Sequence, residues 1–407
     1  MKLPAADWQT RPGMGALLDA LGAHEGETRY VGGCVRDTLL GLPVSDVDLA
    51  TRLAPDEVMA RLKKARIKVV PTGLAHGTVT AVVEGAPVEV TTLRRDVATD
   101  GRRATIAYTD DWREDAARRD FTINALSADP RALHVHDYFG GEGDLAARRV
   151  RFIGEPLTRI AEDHLRILRF FRFHARFGAG EPDAEGFEAC VARANDLMAL
   201  SRERIADELL KLLSLPDCAP TVALMVGGGI LKPVLPEVTR DGAKRLARLS
   251  GREGAAGVDG DGIRRLAALL PRDPEIAADV GARLRLSNRL RQRLVCSAGP
   301  PSDEDEAPPE ALAYRLGADC AADRLLLDER IAVPVLGERV GRLANWRRPK
   351  LPLTGGALIA RGIPAGPGVA AAMQAIERDW VEAGFPGGAA FAAIVDRRLA
   401  QALRDRQ

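Results

Sequence analysis

The chain of 407 residues contains no long apolar run. Its nearest approach, Val222 to Leu235, is broken by three glycines, Lys232 and Pro233 and is too short for a bilayer, so no membrane partner is expected. Met1 to Gly13 lacks the apolar core that a secretory signal needs. Cysteines are few. Cys34, Cys190, Cys218, Cys296 and Cys320 are scattered, odd in number and without metal-ligand spacing, as expected of reduced thiols in a cytoplasm. Neither sign of charge dominates, and with a formal net charge of +1 any grip on a polyanion must come from local clusters of arginine. No long internal repeat is present. With 46% apolar and 28% charged residues, the remaining picture is a soluble globular chain of two to three domains with room for a sizeable core.

The informative stretch is Ser45-Asp46-Val47-Asp48-Leu49-Ala50-Thr51. Side chains alternate in an extended segment, so Asp46 and Asp48 share one face while Val47 and Leu49 turn to the core. Two adjacent carboxylates repel and raise each other's pKa unless a cation sits between them, and a hard divalent ion such as Mg2+ suits oxygen ligands. Such pairs also occur on solvated strand ends. Upstream, Thr28 to Val31 reads as a strand, Gly32-Gly33 as a tight turn and Cys34 to Leu40 as a helix ended by Gly41. That turn exposes backbone N–H groups at a helix start, which suits a phosphate, and Arg36 adds a positive charge; alternatively the glycines only make the bend. Taken together, the two features point to a nucleoside triphosphate and its magnesium.

Further along, Pro55 to Ala65 reads as a helix and Lys68 to Val70 as a strand. Thr78 to Val83 and Val88 to Leu93 form a hairpin around Glu84-Gly85-Ala86-Pro87. Glu89 faces away from Val88 and Val90, either as a third carboxylate beside the pair or as an exposed strand glutamate. Residues 94 to 111 read as a mobile polar loop, Glu114 to Leu126 as a helix and Leu133 to Tyr138 as a strand. From Pro156 the chain turns helical. Glu162, Asp163, Arg166, Arg169, Arg172 and Arg176 fall largely on one helical face, with Leu165, Leu168 and Phe171 packing inward. Asp163 and Arg166 could be an ordinary ion pair three residues apart, whereas the later arginines have no local partner and want an anion. Helices are expected over Phe187 to Leu200 and Arg202 to Leu213, linkers over Gly251 to Gly262 and Gly299 to Glu310, and a pair of helices at the end.

Several motifs recur in one order: Val31-Gly32-Gly33-Cys34-Val35-Arg36-Asp37, Asp46-Val47-Asp48, Glu89-Val90-Thr91-Thr92-Leu93-Arg94, Arg118-Arg119-Asp120-Phe121-Thr122-Ile123-Asn124-Ala125-Leu126, Glu162-Asp163-His164-Leu165-Arg166-Ile167-Leu168-Arg169 and Glu203-Arg204-Ile205. Over about the first 215 residues the chain thus resembles the nucleotidyltransferases that extend RNA 3′ ends without a template, the class II tRNA CCA-adding enzymes and bacterial poly(A) polymerases. The resemblance implies an α+β fold: a polymerase-beta-like catalytic head with a mixed sheet over 1–148, a helical neck for nucleobase recognition over 149–215, and a helical body and tail that bind tRNA over 216–407. It implies that Asp46 and Asp48 hold Mg2+, that Glu89 completes the carboxylate set, and that Gly32, Gly33 and Arg36 hold the triphosphate. Arg119 and Asp120 are then expected near the sugar and phosphates, and Asp163 and Arg166 at the base, with Arg169 and Arg172 in support.

Chemistry supports the last assignment. Cytosine and adenine both show an amino donor beside a ring-nitrogen acceptor, whereas uracil and guanine show a carbonyl beside an N–H. A carboxylate only accepts and a guanidinium only donates, so one Asp/Arg pair fits C and A and leaves a charge unpaired against U or G. Thr72 to Thr80, the 94 to 111 segment and Gly355 to Trp380 look like the CCA-adding members, so the expected substrates are CTP, ATP and tRNA. The alternatives are poly(A), CC-only or A-only addition, or a non-catalytic RNA-binding protein of the same fold.

Overall fold

A computed structural model describes residues 1–100 and 103–404. The chain divides into two compact units, one of Met1–Leu212 with Gly227–Val234 and one of Leu213–Val226 with Leu235–Gln407. The class is α+β.

In the first unit, seven strands build one mixed sheet: β1 (Thr28–Val31), β2 (Asp48–Thr51), β3 (Lys68–Gly73), β4 (Thr78–Val83), β5 (Ala86–Thr92), β8 (Ser127–Ala128) and β9 (Val135–His136), in the order β3-β4-β5-β2-β1-β8-β9. The remaining two, β6 (Arg94–Asp100) and β7 (Arg103–Tyr108), pair antiparallel as a separate ribbon. Only β2 and β5 run parallel among the sheet's neighbours, and their register sets Asp48 beside Glu89. β4 alternates between half-buried and buried residues as a strand with one face on a core must. The β4–β5 turn has positive φ at both Glu84 (48°) and Gly85 (81°), the twist a two-residue hairpin needs. The helix Pro55–Lys64 starts on a proline, with Asp56 and Glu57 in its first turn and Arg61, Lys63 and Lys64 in its last, which suits the helix dipole at both ends.

Local expectations fail in several places here, three of which bear on the site. Residues 94 to 111 are mostly ribbon, because β6 and β7 satisfy each other's backbone groups. The expected helix from Glu114 to Leu126 shrinks to Trp112–Ala117, capped by Asp111, and is followed by a strap at 118–121, of turn and bends up to Asp120, and a single 3-10 turn, Thr122–Asn124. The helical face expected from Glu162 to Arg176 is split: Pro156–Glu162 ends at Asp163, whose backbone is extended (φ −153°, ψ 106°), and a new helix runs over Arg166–Phe177. The second helix buries Ile167, Leu168, Phe170, Phe171, Phe173, His174 and Phe177. Phe121 from the strap packs at 5.2 Å from Phe173 and 5.0 Å from Phe152, with Phe152 stacked on Phe170 at 5.4 Å. This aromatic layer fixes the strap against the helix, and burying each ring contributes about 2–3 kcal/mol.

The second unit is helical among the described residues and closes with Pro367–Glu382 and Gly388–Arg404, the expected final pair. The expected linker at 251–262 is partly helix, since Arg240–Ala255 runs into it and Glu253 is buried between Arg264 and Arg265. In the 299–310 stretch Asp305 is fully buried against Arg324, so that segment is no solvated linker either. Cys296 and Cys320 form a disulfide, with Cα atoms 6.2 Å apart. This corrects the expectation of five reduced thiols: the Asn288–Ser297 and Ala318–Leu327 helices bring together two cysteines that no sequence spacing relates.

Candidate active site

An open cavity of about 380 Å³ in the first unit is lined by Gly32, Gly33, Arg36, Asp48, Arg119, Asp120, Asn124, Asp163, Arg166, Arg169 and Phe173. The strand β1 leads into Gly32, whose φ of +69° is in the left-handed region, and the helix Gly33–Leu39 begins directly after it. Conformation therefore favours glycine, and a Cβ there would stand 3.0 Å from Arg119 Nη1, so that the guanidinium would have to shift to admit a side chain. Arg36 is buried. Its Nε–H donates to Asp37 at 2.7 Å, Nη1 donates to Asn124 Oδ1, and its plane lies 4.1 Å from the Phe177 ring centroid. Burial pushes this guanidinium below its usual pKa, while Asp37 opposes that shift.

Asp48 opens β2 with Val47 and Leu49 buried on either side, as the alternation requires. Burial and then Glu89 push its carboxyl up to about 6, Arg119 opposes this, and Asp46 adds to it. Asp46 is exposed just ahead of the strand and accepts the Ser45 hydroxyl at 2.8 Å. Glu89 is exposed at its register position beside Asp48. Among the described residues no three acidic, histidine or cysteine side chains stand close enough to enclose an ion. The donor set still fits a hard divalent cation, because Glu89 and Asp46 stand as like charges near Asp48 with one nearby arginine against them, which leaves negative charge to neutralise.

The strap carries the next group. Arg119 Nη1 donates to the Asn124 carbonyl at 3.4 Å, and Nη2 reaches Asp115 at 3.5 Å. Asp120 is buried and fully engaged: Arg169 donates to Oδ2 from Nε (2.8 Å) and Nη2 (2.6 Å), while Asn124 Nδ2 and the Phe121 N–H donate to Oδ1, both at 2.9 Å. Burial alone would push its carboxyl up, but these partners, Arg169 foremost, hold it below the usual range. Asn124 therefore links Arg36 to Asp120.

The helix break supplies the last group. Asp163 Oδ1 accepts the Leu165 N–H at 3.1 Å, and Arg204 Nη2 donates to both carboxylate oxygens. Arg166 donates from Nη1 to Glu162 and to the Arg159 carbonyl. The arginines expected to lack partners have them across the fold: Arg169 on Asp120, Arg172 on Glu208 at 2.6 Å, Arg176 on Asp37 at 3.4 Å. That corrects the inferred surplus of charge. Of the expected site residues, Asp46, Glu89 and Arg172 do not line the cavity.

A family profile described as the poly A polymerase head domain matches residues 28–151, and one described as the probable RNA and SrmB- binding site of polymerase A matches residues 181–241. The mouse protein named CCA tRNA nucleotidyltransferase 1, mitochondrial, is 31% identical over 396 residues, covering 95% of this chain and 90% of its own length. The chain belongs to the CCA tRNA nucleotidyltransferase family. A CCA-adding enzyme of Geobacillus thermodenitrificans is 38% identical over 228 residues, which covers 56% of this chain and 55% of that protein. Among solved structures, the CCA-adding enzyme of Bacillus stearothermophilus in complex with CTP aligns with 97% of the chain at 27% identity and a TM-score of 0.75. As a CCA tRNA nucleotidyltransferase family member the chain is an enzyme, a nucleotidyltransferase on an α+β head.

Within this family framework, four contributors to the site were not assigned from sequence: Asn124, Arg159, Arg204 and Glu208. The contacts that bring Asn124 to Arg36, Arg159 to the Arg119 carbonyl, Arg204 to Asp163 and Glu208 to Arg172 span 88, 40, 41 and 36 residues, beyond the reach of helical or strand periodicity. Asn124 and Arg204 do stand inside quoted motifs, which is the one signal available.

Proposed function

We propose that this chain adds C, C and A to the 3′ end of tRNA from CTP and ATP, with protein side chains in place of a nucleic-acid template. One observation carries the reading: a single cavity gathers the glycine turn, Asp48, the Arg119–Asp120 strap and the Asp163/Arg166 donor–acceptor pair. The backbone at Gly32 and Gly33, with Arg36 and Arg119, binds the triphosphate as a cluster of donors and positive charge. Asp120, held by Arg169 and Asn124, keeps the strap in place beside the sugar. Asp163 accepts the exocyclic amino group of cytosine or adenine, and Arg166 donates to the ring nitrogen beside it.

The ion we assign is Mg2+, held by Asp46 and Asp48 with Glu89 beside them. When bound, it supplies charge neutralisation at the triphosphate and activation of the attacking hydroxyl. We assign the head to 1–148, the neck to 149–215, and tRNA binding to the helices of 216–407. No helix among the described residues is long and apolar enough to cross a membrane. The compartment we propose is the cytoplasm, which fractionation of a tagged chain decides.

The experiment is incubation with tRNA lacking its 3′ triplet, Mg2+, CTP and ATP, with product lengths read for CTP alone, ATP alone and both. Extension by two residues with CTP and by a third once ATP is added is expected. No extension removes the reading, and a long adenylate tail or a stop after CC replaces it with a sister specificity.

A further inference from the structure

We propose that Arg159 and Glu162 are positioning residues for nucleotide selection: they set which N–H groups Arg166 presents to the base and tie that choice to the strap of residues 118–120. The proposal rests on the reading of the cavity given above. Arg159 sits on the Pro156–Glu162 helix with its side chain nearly buried, at 10% exposure. Its Nη2 donates to the carbonyls of Arg118 (2.7 Å) and Arg119 (2.6 Å), and its Nη1 donates to Glu162 Oε1 at 2.8 Å. Arg166 meets the same two acceptors. Its Nη2 reaches the Arg118 carbonyl at 3.2 Å, and its Nη1 donates to Glu162 Oε2 and to the Arg159 carbonyl at 2.8 Å.

The count of donors explains the consequence. A guanidinium has five N–H groups. Two on Nη1 and one on Nη2 of Arg166 are spent on this clamp, which leaves Nε–H and one Nη2–H for a ligand. Glu162 also neutralises one of two guanidiniums that would otherwise face each other. Arg159 is held there at a cost. Its Nε–H is buried with no protein partner among the described residues, and burial and then the charge of Arg166 lower its pKa. Core packing alone would be served better by an apolar side chain of similar volume. A planar fork bonded at once to two strap carbonyls and a shared carboxylate instead couples the ribose-side strap to the base reader.

The two residues therefore have separable signatures. Glutamine at 162 keeps one acceptor oxygen but loses the charge and the second acceptor, so Arg166 swings while the strap stays tied. Lysine at 159 cannot fork to two carbonyls and a carboxylate, so both strap and base reader loosen. With the full chain and tRNA lacking its triplet, kcat/KM is measured for CTP, UTP and dCTP in wild type, Glu162→Gln and Arg159→Lys, with melting curves for each. Glu162→Gln is expected to lower the CTP-over-UTP ratio by about tenfold, one charged hydrogen bond's worth, with the CTP-over-dCTP ratio within about twofold of wild type. Arg159→Lys is expected to lower both ratios.

If the variants melt like wild type and kcat/KM falls equally for all three nucleotides, or not at all, the proposal is overturned. If Arg159→Lys fails to fold, the ratios of Glu162→Gln decide alone. Failure of wild type to incorporate CTP would instead defeat the functional reading on which the proposal rests.

Discussion

Arg204 Nη2 stands 2.8 Å and 3.1 Å from the two carboxylate oxygens of Asp163, while Arg166, only three residues from Asp163, is bound to Glu162. The acceptor and the donor of the base-reading pair are thus kept from neutralising each other, and each retains hydrogen-bonding capacity toward the cavity. Arg204→Met frees Asp163 to turn toward Arg166. We expect kcat/KM for both CTP and ATP to fall by about tenfold, mainly through KM. Steady-state kinetics check this, and unchanged KM values would show that Arg204 does not orient Asp163.

Asp48 makes the metal-free head pH-sensitive in a definite direction. Its folded pKa is raised to about 6, above its ordinary value, so the folded state binds the proton more tightly than the unfolded chain does. That contribution to stability is full below about pH 4 and is lost as pH rises through about 6. In chelator, Asp48→Asn is expected to melt above wild type near pH 8, with the gap closing near pH 4. Adding Mg2+ at the higher pH should stabilise wild type more than the variant, as a ligand that binds only the folded state must. A variant that melts no higher than wild type in chelator near pH 8 would contradict the account of a carboxylate strained by burial and then by Glu89.

Gly32 cannot take a side chain without strain, since its φ is +69° and an added Cβ meets Arg119 Nη1 at 3.0 Å. Gly32→Ala is expected to cost about 1 kcal/mol or more of stability and to displace the Arg119 guanidinium from the cavity rim. Urea denaturation measures the first effect and the KM for CTP the second. Gly41→Ala serves as the comparison: it also has positive φ, but no atom lies within 4 Å of its Cβ, so strain should appear without a kinetic change.

The Cys296–Cys320 bridge closes 24 residues of the second unit. Cutting it by reductant, or by Cys296→Ser, should lower that unit's stability by about 3 kcal/mol through the loop entropy restored to its unfolded chain. The check is a melting curve with and without reductant, supported by thiol counting in denaturant. Three reactive thiols without reductant and five with it are expected, because Cys34, Cys190 and Cys218 are free. Five thiols in both conditions would remove the bridge.

Much of the site could be read in the order of residues, because local rules governed it. Alternation placed Asp48 opposite a buried Val47 and Leu49 and turned Glu89 away from Val88 and Val90, and two glycines marked the turn between β1 and its helix; the parallel pairing of β2 with β5 then set Glu89 beside Asp48. The donor–acceptor logic of Asp163 and Arg166 likewise needs only their side-chain chemistry. What the tertiary structure alone decided is who holds whom. A helical projection paired Asp163 with Arg166 and left Arg169, Arg172 and Arg176 unmatched, but the break at Asp163 and the packing of Phe121 on Phe173 delivered Arg204, Asp120, Glu208 and Asp37 instead. The Cys296–Cys320 bridge has the same origin. Periodicity reports which face of an element is apolar, whereas an ion pair or a disulfide depends on where two distant elements come to rest. Backbone topology sets that, and no local spacing encodes it.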